Sequence, residues 1–180
     1  MERYDLKVFI TAMMLWISQH TGYTIPEHPN IIYVTTSEMK AYAYGCDENP
    51  IPFQNKDICA ARKNWDLDRG NPIALYNHKE KLIILNKNFN IETIHDQSVL
   101  LHELVHHFQA HVGKDFNKTC RGTLEKEAYD LQNIWLKEKY NTNVYDTIGI
   151  NELFLMLITS CANPYHIPPD PEYQNQHLEK

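Results

Sequence analysis

No stretch of this 180-residue chain is apolar over the roughly twenty residues that a membrane-spanning helix needs. The longest apolar run, Leu153 to Thr159, suits a buried turn or two of helix. Basic residues do not outnumber acidic ones: 17 Lys and Arg stand against 23 Asp and Glu, a formal charge of −6. That balance excludes a general nucleic-acid surface, which needs clustered Lys and Arg to meet phosphates. No cleavage site of small residues follows the apolar stretch Val8 to Ile17, so it is not expected to act as a secretory signal. No two of the four cysteines, Cys46, Cys59, Cys120 and Cys161, lie within four residues of each other, which is unlike a structural zinc site. They can form two disulfides, Cys46 with Cys59 across an irregular loop and Cys120 with Cys161, or remain reduced. Paired cysteines would place the chain in the periplasm or outside the cell, reduced ones in the cytoplasm. No internal repeat is present, and the length suits one domain over residues 1–163. Residues 164–180, with four prolines and many polar residues, are expected as an extended surface tail.

What is present reads as an α+β order. Leu6, Phe9, Ile10, Met13, Met14 and Ile17 recur at helical spacing and predict a helix over residues 2–20, stopped by Gly22. Ile31 to Thr35 is a β-branched strand, and Ser37 is positioned to cap a short helix from Glu38 to Tyr44. From Gly45 to Pro72 no period is visible. This segment, which contains Trp65, reads either as a lid over a groove or as a stapled surface excursion. Ile73 to Tyr76 and Lys81 to Asn86, joined by Asn77-His78-Lys79-Glu80, predict a β-hairpin. Three helices are expected after it, over Thr93 to His111, over Leu124 to Lys139 with Thr123 as cap, and over Gly149 to Cys161.

The first of these three carries His102-Glu103-Leu104-Val105-His106, with no Gly or Pro from Ser98 until Gly113. Residues four apart share a helix face, so both imidazoles can address one metal ion, and Glu103 can reach a water held there. A catalytic zinc site needs a third protein ligand, and the next helix offers Glu125 and Glu127. These project about 200° apart and cannot both face a metal. Ala128 shares a face with Glu125, as do Tyr129 and Gln132, and a small residue lets two helices approach closely, so Glu125 is the expected ligand. His107 is one residue off the metal face and reads as a supporting or surface histidine. His111 reads as non-ligating, and His78 and His95 as facing solvent.

His102-Glu103-x-x-His106 followed by Glu125-x-x-Ala128 resembles the gluzincin metallopeptidases, and the block from Ser98 to Gln109 with Leu124 to Gln132 looks like small bacterial zincin-like domains. The resemblance covers roughly residues 73–137. It implies a zincin-like fold: a small mixed sheet with an N-terminal helix, an active-site helix and a following helix with the third zinc ligand. It also implies an edge strand along the cleft, for which Leu82 to Leu85 is the candidate. The implied activity is zinc-dependent hydrolysis of peptide bonds in a peptide or protein substrate, with His102, His106 and Glu125 as zinc ligands and Glu103 as general base. Many gluzincins carry Asp or Asn four residues after the ligand Glu to orient a zinc histidine. This chain has Tyr129 there, which could take that role or bind the oxyanion. Tyr165 and His166 are further oxyanion candidates. The alternative is a non-catalytic zincin-fold module acting through a protein partner, against which the intact Glu103 argues.

Overall fold

The computed structural model describes residues 5–44, 72–114 and 119–161. The segment from Gly45 to Asn71, with Cys46, Cys59, Trp65 and the lid reading, lies outside the described residues, as does the tail from Pro164 with Tyr165 and His166. Helix α1 (Leu6–Thr21) buries the stripe Ile10, Met13, Met14 and Ile17 that its spacing dictates. Asp5 caps its start, accepting from the Lys7 amide, and Gly22 ends it at φ +72°, a conformation that favours a residue without Cβ.

Strand β1 (Asn30–Val34) pairs in parallel with β3 (Leu82–Asn86), and β2 (Ala74–Asn77) pairs antiparallel with β3, giving the order β1-β3-β2. This corrects the expectation for Leu82 to Leu85. With Ile31 opposite Ile83, β1 covers one side of β3 and makes it the central strand, so the edge next to the helices is β2. Alternation along β3 sends Ile83 and Leu85 into the main core and Ile84 to the opposite face, against Val34 and Met39. Met39 belongs to α2 (Thr36–Tyr44). Its cap is Thr35 rather than Ser37: the Thr35 hydroxyl accepts from the Glu38 amide at 3.3 Å, and the Glu38 carboxylate accepts from the Thr35 amide at 2.7 Å.

Helix α3 (Ile94–His111), capped by Thr93, runs through the middle of the molecule, with α1 and the sheet's inner face against it. Its largest partner is α4 (Arg121–Tyr140). Ser98 and His102 meet Gln132, and Gln109 meets Leu124, so the two helices are antiparallel. Ala128, fully buried, lies in the core between them. Helix α4 begins a turn before the expected cap at Thr123. Cys120 holds the cap position and makes no side-chain cap bond, because its sulfur is bonded to Cys161. A short helix that the sequence did not lead us to expect, α5 (Val144–Ile148), precedes the helix expected over Gly149 to Cys161, which is shortened to α6 (Glu152–Thr159). Gly149 at φ +69° stops the first, and the Asn151 side chain starts the second by accepting from the Phe154 amide at 2.7 Å. The end of α6 lies so close to the start of α4 that a Cβ on Gly122 would stand 2.7 Å from the Ser160 carbonyl oxygen. Contrary to expectation, none of α6 is buried, with Leu153 64% and Met156 61% exposed. Among the described residues, no helix is long and apolar enough to cross a membrane.

Candidate functional site

Because α3 is buried from Leu100 to Gln109 without a break, every polar side chain in that stretch must find a partner inside the protein. The helical period divides them. Ser98, His102, His106 and Gln109 face α4, while Glu103 and His107, a quarter-turn round, face β2.

On the α4 side the structure brings His102, His106 and Glu125 together. The two Nε2 atoms are 3.2 Å apart, and Glu125 Oε2 lies 3.3 Å from His102 Nε2 and 3.5 Å from His106 Nε2. Ligand atoms about 2.0–2.2 Å from a tetrahedral zinc stand roughly 3.3–3.5 Å from one another. The outer nitrogens are each backed by a glutamine: His102 Nδ1 is 3.1 Å from Gln132 Oε1, and His106 Nδ1 is 2.8 Å from Gln109 Oε1.

The orientation of both amides follows from their other partners. Gln109 Nε2 donates to the Leu124 carbonyl and to Glu127 Oε2, each at 2.9 Å, and neither of these can donate. Ser98 gives its own proton to the His95 carbonyl and so accepts from Gln132 Nε2. Both glutamines therefore present oxygen to the histidines, and both Nδ1 atoms carry the hydrogen. In the neutral imidazoles each Nε2 then holds a lone pair, and two lone pairs and a carboxylate converge on one point. Such a donor set could hold a cation, and two imidazoles with a carboxylate are ligand types that suit zinc.

The site also favours positive charge. Burial would raise the pKa of Glu125, but hydrogen bonding and charge from the two histidines in their protonated form outweigh it and hold its carboxyl well below the ordinary range. Burial acts to lower the pKa of His106, and Glu125, Glu103 and Gln109 together raise it instead. Arg121 Nε, 3.3 Å from Glu125 Oε1, adds a largely exposed cation at the rim.

On the other side of α3, the Tyr76 amide at the edge of β2 donates to Glu103 Oε2 at 2.7 Å. His107 Nε2 donates to the Glu27 carbonyl at 2.8 Å, which leaves Nδ1 to accept from the Tyr76 hydroxyl at 3.3 Å. His107 thus holds the strand residue that holds Glu103. Burial pushes the Tyr76 hydroxyl up to about 12 and lowers the pKa of His107.

His78 is the residue the sequence reading misplaced. It does not face solvent from the hairpin tip: its ring packs 4.7 Å from that of Tyr76 and 5.6 Å from that of His106. Burial, with the nearby charges of His106 and Arg121, brings its pKa down to about 3. The hairpin turns in front of the site because Asn77 folds back, its side chain accepting from the amides of Lys79 and Glu80. Tyr129 sets its ring 4.4 Å from that of His102, while the acceptor on His102 Nδ1 is Gln132, whose place on the Glu125 face was visible in the sequence. Glu127 turns away from the three ligand candidates, towards Lys114, Tyr23 and Gln109. His95 pairs with Asp96 at the surface, and His111 is exposed at the end of α3. Trp16 and Trp135 are core residues.

Over residues 3–170 the chain matches the family described as Domain of unknown function (DUF6647), and it belongs to that family. No curated protein and no solved structure matches it.

Proposed function

We propose that this DUF6647 member is a zinc-dependent hydrolase of peptide bonds, a metallopeptidase of the gluzincin type with a zincin-like arrangement. The observation that carries the reading is the convergence of His102 Nε2, His106 Nε2 and Glu125 Oε2 with both outer nitrogens already committed to glutamine oxygens. His102, His106 and Glu125 would hold the metal. Zinc there supplies Lewis acidity, which acidifies water and polarises a carbonyl.

The chain's own residues do the rest. Glu103, adjacent in sequence to the first ligand, has one carboxylate oxygen fixed by the Tyr76 amide. Its other oxygen takes a proton from the attacking water and returns it to the leaving amine. Tyr129 and His78, whose rings lie against the two histidines, are the candidates in this reading for meeting the substrate oxygen. The Cys120–Cys161 bridge favours an oxidising compartment, periplasmic or extracellular.

Zinc per chain, measured after loosely held metal is removed, tests the first half of this reading. About one equivalent in the wild type and a clear loss in Glu125→Ala are expected; no zinc after reconstitution overturns it. Cleavage of a mixed peptide library by wild type, with Glu103→Gln inactive yet still zinc-loaded, tests the second half. Zinc-loaded protein in which both forms are inert would leave a partner-binding module instead.

A further inference from the structure

We infer that Glu127, the carboxylate that faces away from the metal site, is a positioning residue for it, acting on His106 through Gln109. The inference rests on the proposed metal site for its consequence and on hydrogen bonding alone for its geometry.

Glu127 Oε1 accepts from the Tyr23 hydroxyl at 2.5 Å and from Lys114 Nζ at 2.9 Å; Oε2 accepts from Lys114 Nζ at 2.8 Å and from Gln109 Nε2 at 2.9 Å. Lys114 also donates to the Tyr23 hydroxyl and lies over its ring. The three elements that meet here are the turn after α1, the turn after α3 and the second turn of α4. Gln109 spends one amide hydrogen on Glu127 and the other on the Leu124 carbonyl, so only its oxygen is left for His106. Glu127 thereby fixes which nitrogen of His106 carries the proton, and so which one is left with a lone pair for the metal.

The near-isosteric change Glu127→Gln makes the role testable. A glutamine has one oxygen, and Lys114 and Tyr23 claim it. Its NH2 group then opposes the NH2 group of Gln109, donor against donor. Rotating the Gln109 amide relieves that clash at the cost of its bond to the Leu124 carbonyl, turns an N–H towards His106 Nδ1 and drives the imidazole proton onto Nε2, the atom the metal needs; without rotation the unrelieved clash moves Gln109 off Nδ1.

Two readouts are made on the full chain labelled with 15N. The zinc dissociation constant, by chelator competition, should rise about tenfold in Glu127→Gln, the lower end of the usual cost of losing an outer partner. Loss of a nearby negative charge would weaken zinc as well, so the second readout is the Nδ1–H resonance of each histidine, with and without zinc. The His106 resonance should be lost or moved in Glu127→Gln while that of His102, backed by Gln132 and Ser98, stays. Lys114→Met, which leaves Glu127 free to accept from Gln109, should keep both. Gln109→Met, read beside thermal unfolding, should lose the His106 resonance alone and serves if Glu127→Gln does not fold.

A wild type with no Nδ1–H resonance at His106, or a Glu127→Gln protein in which it is unchanged or lost together with that of His102, overturns the inference. The expected resonance pattern in a chain that binds no zinc would uphold the control of His106 and sink the hydrolase reading, so the two fail separately.

Discussion

Replacing both members of the bridge, Cys120→Ser with Cys161→Ser, removes a covalent tie between residues 41 apart in sequence. Closing a loop of that length takes roughly 13 cal/mol/K of entropy out of the unfolded chain, so its loss destabilises the fold by about 4 kcal/mol at 25 °C. That is a large share of the roughly 5–15 kcal/mol that holds an ordinary domain together. The assay is urea unfolding of metal-free wild type and double variant, compared by midpoint at constant slope. Zinc affinity, measured on the folded variant, should stay within about twofold of wild type. The ligands are seated by the α3–α4 interface around Ala128, whereas α6 packs on the start of α4 and, through Leu155, on the edge of the core. A loss of stability under about 1 kcal/mol would refute the loop-entropy reasoning. A folded variant that no longer binds zinc would show that α6, and not the helix pair, sets the position of Glu125.

Gly122→Ala places a Cβ 2.7 Å from the Ser160 oxygen and 2.8 Å from the backbone carbonyl carbons of Ser160 and Thr159, none of which is the far end of a flexible side chain. Overpacking of this kind costs about 1–3 kcal/mol, and the better helix propensity of Ala offsets about 1, so a net loss of roughly 1–2 kcal/mol in urea unfolding is expected. An unchanged midpoint would mean α6 can withdraw without cost. Acid unfolding supplies a third test. Burial raises the pKa of Glu127, but Lys114, Tyr23 and Gln109 outweigh it and leave the carboxyl below its reference of 4.5. A folded pKa below the unfolded one gives stability that is present above that reference and lost as pH falls through the folded value. Glu127→Gln should therefore flatten the acid limb of stability against pH, and an acid limb of wild-type steepness would show that other carboxyls carry it.

How much of this could be read from the sequence depends on how local the determining contact is. The span of helix α3 and the end of α1 at Gly22 follow from spacing and stop signals within a few residues. The stop at Gly149 and the cap at Asn151 were equally local, yet the expected helix was begun at the glycine, which in fact ends α5 two residues before the cap of α6. Cys120 displaced Thr123 as the start of α4 because a bond to a residue 41 positions away anchors it there. The strand order was beyond local reading. Whether β3 lies at an edge depends on β1 arriving in parallel from the far side of a long connection. His78 was misjudged for the same reason: a hairpin tip is ordinarily wet, and only the sheet's placement along α3 brings it against His106. Gln109 left a usable trace, three residues beyond His106 on the same face, yet glutamines on helices usually face water. Its partners on α4 had to be in place before its role could be seen.

The two faces of α3 have a bearing on how this protein can change over evolutionary time. Everything in the described structure that would grip the metal, the three ligand candidates and both glutamines, lies within residues 98–132, on one antiparallel helix pair. Glu103, the proposed general base, is steadied from the opposite direction, by the backbone of a strand in a separate layer. On the proposed reading, mutations in the β2–β3 hairpin away from His78 would alter turnover or the substrates accepted while metal retention is left intact, and drift along α4 would retune metal retention without moving Glu103. On that same reading, affinity for the ion and reactivity at it would be separately heritable traits in this architecture, open to selection one at a time.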